Sequence, residues 1–167
     1  LGKYTFLFTL LSFLLFMNAC NMFDGINLQF GVYSLVLSLF LISVIGQNYL
    51  LLSIIIGLLF FLLLNFQNKT FIGDSGTLFL SFIYASLIIL TYNNKVFEIS
   101  VEKIFLVMML PGIDMLRVFL IRITNGKNPF KPDRIHLHHL LMSQYGLNKI
   151  FFIIFLIYFI PIFILLF

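Results

Sequence analysis

Long apolar stretches run through this chain, and short polar clusters separate them. Stretches of roughly 18 or more mostly apolar residues, each long enough to cross about 30 Å of hydrocarbon, recur along almost the whole length. They are rich in Leu, Ile and Phe and lack strict alternation, which predicts helices rather than a transmembrane barrel. The pattern predicts six spans, at 4–22, 28–46, 49–66, 76–92, 103–123 and 148–167. Gly46-Gln47-Asn48 makes a tight turn between the second and third, and residues 93–103 form a polar loop before the fifth. Pro111-Gly112 falls inside the fifth span. Proline removes a helix hydrogen bond, so a kink or break is expected near Pro111.

Composition makes the membrane reading firm. Hydrophobic residues are 62% of the chain and charged residues 10%, against about 45–50% and about 25% in a soluble domain. The fold class is therefore all-α integral membrane, with residues 1–167 forming a single polytopic domain. The single cysteine, Cys20, excludes an intrachain disulfide and reads as a small packing residue. The net charge of +4 reports loops facing anionic lipid headgroups and gives no reason to expect nucleic acid. The chain opens on Leu1-Gly2-Lys3, directly ahead of an apolar stretch, so a preceding N-terminal part is expected.

Three polar islands carry the candidate chemistry. They are Asn18-Ala19-Cys20-Asn21-Met22-Phe23-Asp24-Gly25-Ile26-Asn27, then Phe71-Ile72-Gly73-Asp74-Ser75-Gly76, then the segment from Pro129-Phe130 through Asp133-Arg134 to His136, His138 and His139. If every predicted span crosses, the loops after spans one, three and five share one face, and those loops are the islands. The same face collects Lys69, Arg122, Lys127, Lys131, Arg134 and Lys149, whereas Lys3, Lys95 and Lys103 fall on the other. The basic bias places the island face in the cytoplasm.

Each island also has a bland reading. Asn, Asp and Gly are ordinary turn residues, so the first could be only a capped turn. In the second, Asp74 or Ser75 could cap the fourth helix, or Asp74 could hold a hard divalent cation. The third is a cationic loop suited to phosphate, with Arg134 offering a bidentate fork and the histidines offering donors. A headgroup-binding loop and a three-histidine zinc site are its alternatives. Asp114 and Arg117, three apart on the fifth span, read first as an intrahelical ion pair. Their functional alternative is a broken helix that steers the third island over the site. Taken together, the islands suggest one site at the membrane surface, with carboxylates for Mg²⁺ and cations for phosphates.

These residues resemble a known family. Asn18 through Asn27 resembles its NAxNxxDGxNGL motif, Phe71 through Phe79 its FMGDSGSLF motif, and the Pro129–His139 island its PFxxDxxHLHH loop. The family is the polyprenyl-phosphate N-acetylhexosamine-1-phosphate transferases, glycosyltransferase family 4. The resemblance implies transfer of an N-acetylhexosamine 1-phosphate from a UDP-sugar to undecaprenyl phosphate, releasing UMP, with Mg²⁺ or alternatively Mn²⁺. It implies Asp74 and Asn21 as metal ligands, Asp24 as an essential acid, Gly25 and Asn27 as uracil contacts, and Phe71 as the ring that stacks on uracil. Arg134, His136, His138 and His139 would surround the pyrophosphate and sugar. The implied location is the bacterial cytoplasmic membrane, multi-pass, with the active face cytoplasmic. Two departures stand out. Leu28 occupies the place of the family's second glycine, and no Asp-Asp pair, which the family carries upstream, occurs here. The chain is thus expected to be the C-terminal part of such an enzyme and inactive alone. A non-catalytic membrane partner and a transporter of anionic lipids or nucleotides are the competing readings.

Overall fold

A computed structural model of the chain describes residues 4–94 and 99–128 continuously, with single helical positions at 140, 149, 153, 156 and 160. Five helices result: α1 (Thr5–Phe23), α2 (Gln29–Ile45), α3 (Tyr49–Phe66), α4 (Gly73–Asn93) and α5 (Val101–Thr124). No strand occurs among the described residues. α1, α3, α4 and α5 are long and apolar enough to cross a membrane, and α2 is a shorter apolar helix of 17 residues. The protein is a multi-pass membrane protein. The first five predicted spans coincide with these helices, and the sixth lies largely outside the described residues.

The boundaries follow from local chemistry. Asn48 starts α3 by accepting a hydrogen bond from the Leu51 N–H, and Ser100 starts α5 by accepting from Lys103. Both satisfy amides that a helix N-terminus leaves free. α5 stops at Thr124, and two residues later Gly126 takes a φ of +64° that lets the Lys127 amide reach back to the Arg122 carbonyl at 2.8 Å. Glycine is suited to that left-handed position.

α1 packs against α4 and α5, and α2 against α3 and α4. Phe16, Cys20, Phe23, Phe30, Tyr33, Leu37, Phe40 and Tyr84 fill the resulting core. Cys20 is fully buried there, in keeping with a packing role. α3 stands at the edge, with Ile56, Leu59, Phe60 and Leu63 exposed, an arrangement suited to hydrocarbon rather than water. A hydroxyl network joins α2 to α4 inside the bundle. The Tyr84 hydroxyl donates to the Ser34 carbonyl at 3.0 Å and lies 2.8 Å from Ser38 Oγ, which itself bonds the Ser34 carbonyl at 2.9 Å.

α5 corrects the expectation of a broken helix. The helix continues through Pro111 without a break. Proline leaves the carbonyl four residues earlier, that of Val107, without its helical donor. The hydroxyl of Tyr33, from α2, donates to that carbonyl at 3.1 Å in a buried setting. A neighbouring side chain supplies the missing donor, and the helix stays whole. One turn later Arg117 donates to Asp114 Oδ1 from Nη2 at 2.8 Å and from Nε at 3.2 Å. Asp114 is buried, so this pairing within α5 offsets the cost of placing a carboxylate there.

Candidate active site

The loop between α1 and α2, the start of α2, the end of α3 and the start of α4 meet at one end of the bundle. They enclose a cavity of about 510 Å³ lined by Asp24, Gly25, Ile26, Asn27, Leu28, Gly31, Phe61, Asn65, Phe71, Ile72, Gly73 and Asp74. The first and second islands therefore share one site. Of the residues singled out from the sequence, Asp24, Gly25, Asn27, Phe71 and Asp74 line it.

Asp24 follows directly on α1 and is partly buried, whereas Asp74 sits exposed in the first turn of α4. Neither Asp74 nor Ser75 caps that helix. The cap position is Ile72, which has no side-chain cap bond, and Gly73 takes φ of +64°. The helix thus begins three residues before the predicted 76, placing Asp74 where the amide dipoles favour negative charge. Burial pushes the Asp24 carboxyl up from 3.8 to about 6, and the neighbouring Asp74 charge adds to the rise. A raised folded value means that the fold favours the protonated acid. Its stabilising contribution is present below 3.8 and is lost as pH rises through about 6. In chelator-treated protein, infrared titration of the carboxylate band should show this late-titrating group, and Asp74→Asn should move its midpoint downward. A midpoint unmoved by Asp74→Asn would mean that the two charges do not interact.

Phe71 is 84% exposed at the cavity rim, with its ring facing Gly73. A Cβ at position 73 would lie 3.3 Å from that ring, so glycine serves both the backbone turn and the close approach. An apolar ring exposed beside two carboxylates is a ready stacking surface for a planar ligand.

Asn21 takes a different place. Its Oδ1 accepts a 2.6 Å hydrogen bond from the Thr77 hydroxyl, and Asn21 is not among the residues lining the cavity. Thr77 also bonds the Asp74 carbonyl at 3.0 Å, so Asn21 reaches the start of α4 through this hydroxyl. Arg134, His136, His138 and His139 lie outside the described residues. Asn65 lines the cavity and was passed over by motif reading, whereas Thr77 stands inside the second motif without a role assigned to it. Asn65 is the only carboxamide in α3, and a lone amide near the end of an apolar span was the available signal.

The cavity chemistry fits a hard divalent cation. Mg²⁺ is commonly held by one or two carboxylates together with phosphate oxygens and waters, and Asp24 with Asp74 provides that donor type. Among the described residues no group of three or more His, Cys, Asp or Glu side chains gathers at one point.

A helical membrane bundle that brings two carboxylates, turn amides and an exposed ring to one end defines a membrane protein with a polar ligand cavity. Sequence comparison gives the family. The profile of glycosyl transferase family 4 matches residues 1–92, which include both islands of this cavity. Undecaprenyl-phosphate alpha-N-acetylglucosaminyl 1-phosphate transferase of Escherichia coli K12 is 32% identical over 154 residues, covering 85% of this chain and 42% of that protein. The Salmonella typhi protein of the same name gives the same identity and coverage. The Haemophilus influenzae one is 31% identical over 103 residues, covering 58% of this chain and 29% of its own length. The chain belongs to glycosyl transferase family 4. It spans about two-fifths of the length of the first two relatives. No solved structure matches the chain.

Proposed function

We propose that this chain forms part of an enzyme that transfers an N-acetylhexosamine 1-phosphate from a UDP-sugar to undecaprenyl phosphate and releases UMP. The reading carries with it a bacterial cytoplasmic membrane location, with the cavity facing the cytoplasm. One observation supports it above the others: Asp24 and Asp74, from islands separated by two helices, share a cavity with the exposed ring of Phe71.

In the reaction an oxygen of the lipid phosphate attacks the sugar-bearing phosphorus of the UDP-sugar. A new P–O bond forms, the P–O bond to the uridine-bearing phosphate breaks, and UMP departs with the bonding electron pair. Two anions must approach each other, so compensating positive charge and alignment dominate the barrier. Asp24 and Asp74 would hold Mg²⁺, with Asn21 close behind the start of α4. The bound cation would neutralise charge on the phosphate oxygens. Phe71 would stack on uracil while Gly25 and Asn27 offer turn groups to its polar edge. Arg134, His136, His138 and His139 would supply donors to the pyrophosphate and sugar.

The test is UMP release by the full gene product in membranes, given UDP-N-acetylglucosamine and undecaprenyl phosphate. Release should need both the lipid phosphate and Mg²⁺, stop with EDTA and return on adding the cation. Release that ignores the lipid phosphate, or none above control membranes, would overturn the assignment. A panel of UDP-sugars identifies the hexosamine.

A further inference from the structure

We infer that Asn65 is a positioning residue that holds the uridine-facing turn open by clamping Leu28 in a left-handed backbone conformation. Leu28 has φ of +68°, a region unfavourable for a residue with a Cβ. Such a conformation persists only where its surroundings over-determine it, and Asn65 is the group that does so. Its side chain is buried at 3% exposure. Its Oδ1 accepts the Leu28 amide at 2.6 Å, and its Nδ2 donates to the Thr70 carbonyl at 2.6 Å and reaches Asn27 Oδ1 at 3.5 Å.

One carboxamide thus ties together both walls of the cavity. The Leu28 bond fixes the turn that presents Gly25 and Asn27, and the Thr70 bond fixes the strip that presents Phe71. Asn68 completes the arrangement by accepting from Asn27 Nδ2. Turning the Leu28 peptide out of the left-handed region would redirect Asn27 and remove its bond to Asn68. Position 28 is where the family motif has glycine, which adopts this conformation freely. In this chain the clamp does for leucine what glycine does by itself. The inference deepens the proposed function and rests on it for the identity of the ligand, but the clamp itself is measurable without any ligand.

The experiment combines Asn65→Ala with Leu28→Gly in the full gene product. Amide hydrogen exchange at residues 27–29 reports the clamp, and titration with UMP reports the cavity. Asn65→Ala should speed exchange there and weaken UMP binding about tenfold, equivalent to about 1.4 kcal/mol. Because glycine adopts the left-handed conformation without a clamp, the double variant should recover most of the affinity that Asn65→Ala loses. A role confined to general packing gives no such recovery, because glycine adds no contact, so an unrescued double variant overturns the clamp. Unchanged exchange in Asn65→Ala also overturns it. Parent protein that fails to bind UMP while Asn65→Ala still speeds exchange overturns the nucleotide reading and leaves the clamp standing. If Asn65→Ala does not fold, refolding of the double variant supports the clamp and failure of both overturns it.

Discussion

Asp74→Asn should cut Mg²⁺-dependent UMP release by about a thousandfold while leaving the protein folded. The side chain is exposed in the first turn of α4, and asparagine preserves its shape. The loss in stability should stay within the roughly 0.3–1 kcal/mol that a carboxylate gains at a helix N-terminus. The loss in rate should be far larger. A cation on transferring phosphates contributes several kcal/mol, and about 1.4 kcal/mol corresponds to each factor of ten. The checks are turnover against Mg²⁺ concentration, alongside thermal unfolding in detergent. A variant that turns over at the parent rate would end the assignment of Asp74 to the cation. A variant that fails to fold would show instead that the carboxylate holds the start of α4.

Tyr33→Phe should lower stability by about 1–3 kcal/mol, the cost of leaving a buried carbonyl without its donor. The mechanism makes a sharper statement about the pair. Tyr33 donates to the Val107 carbonyl, which Pro111 leaves without a helical partner. Replacing Pro111 by alanine restores an amide to that carbonyl, so Tyr33→Phe should cost little in the Pro111→Ala background. Reversible unfolding of the four proteins of this double-mutant cycle measures the coupling. Equal costs of Tyr33→Phe in both backgrounds would show that the hydroxyl serves α5 in some other way.

The same pair shows where sequence reading reached its limit. The spans were legible because crossing hydrocarbon demands long apolar runs, and α1, α2 and α3 lie within a few residues of prediction. Parity along those runs was enough to bring Asp24 and Asp74 to one face, and they share a cavity. α4 begins three residues ahead of the predicted 76: Gly73, Asp74 and Ser75 look like a turn, yet Gly73 allows the helix to begin there. Pro111 predicts a break from local chemistry alone, but the donor that prevents one sits 74 residues before Val107. Asn65 was hidden for a related reason. Its shortest bonds go to the backbone of Leu28 and Thr70, and no motif spacing reveals such a contact. The Asn21–Thr77 bond likewise joins positions 56 residues apart.

The buried hydroxyls between α2 and α4 have a consequence for the site at the end of the bundle. Ten residues separate Ser38 from Leu28, and ten separate Tyr84 from Asp74. At 1.5 Å per residue both distances are about 15 Å along the helix axis. α2 and α4 each begin at the cavity, so the Ser38–Tyr84 contact acts as a depth gauge that brings the turn at Leu28 and the carboxylate of Asp74 to the same level. A slip of one helical turn, about 5.4 Å, would leave the two walls out of step. Hydrophobic packing alone permits such sliding between apolar helices, whereas the hydroxyl pair admits one alignment.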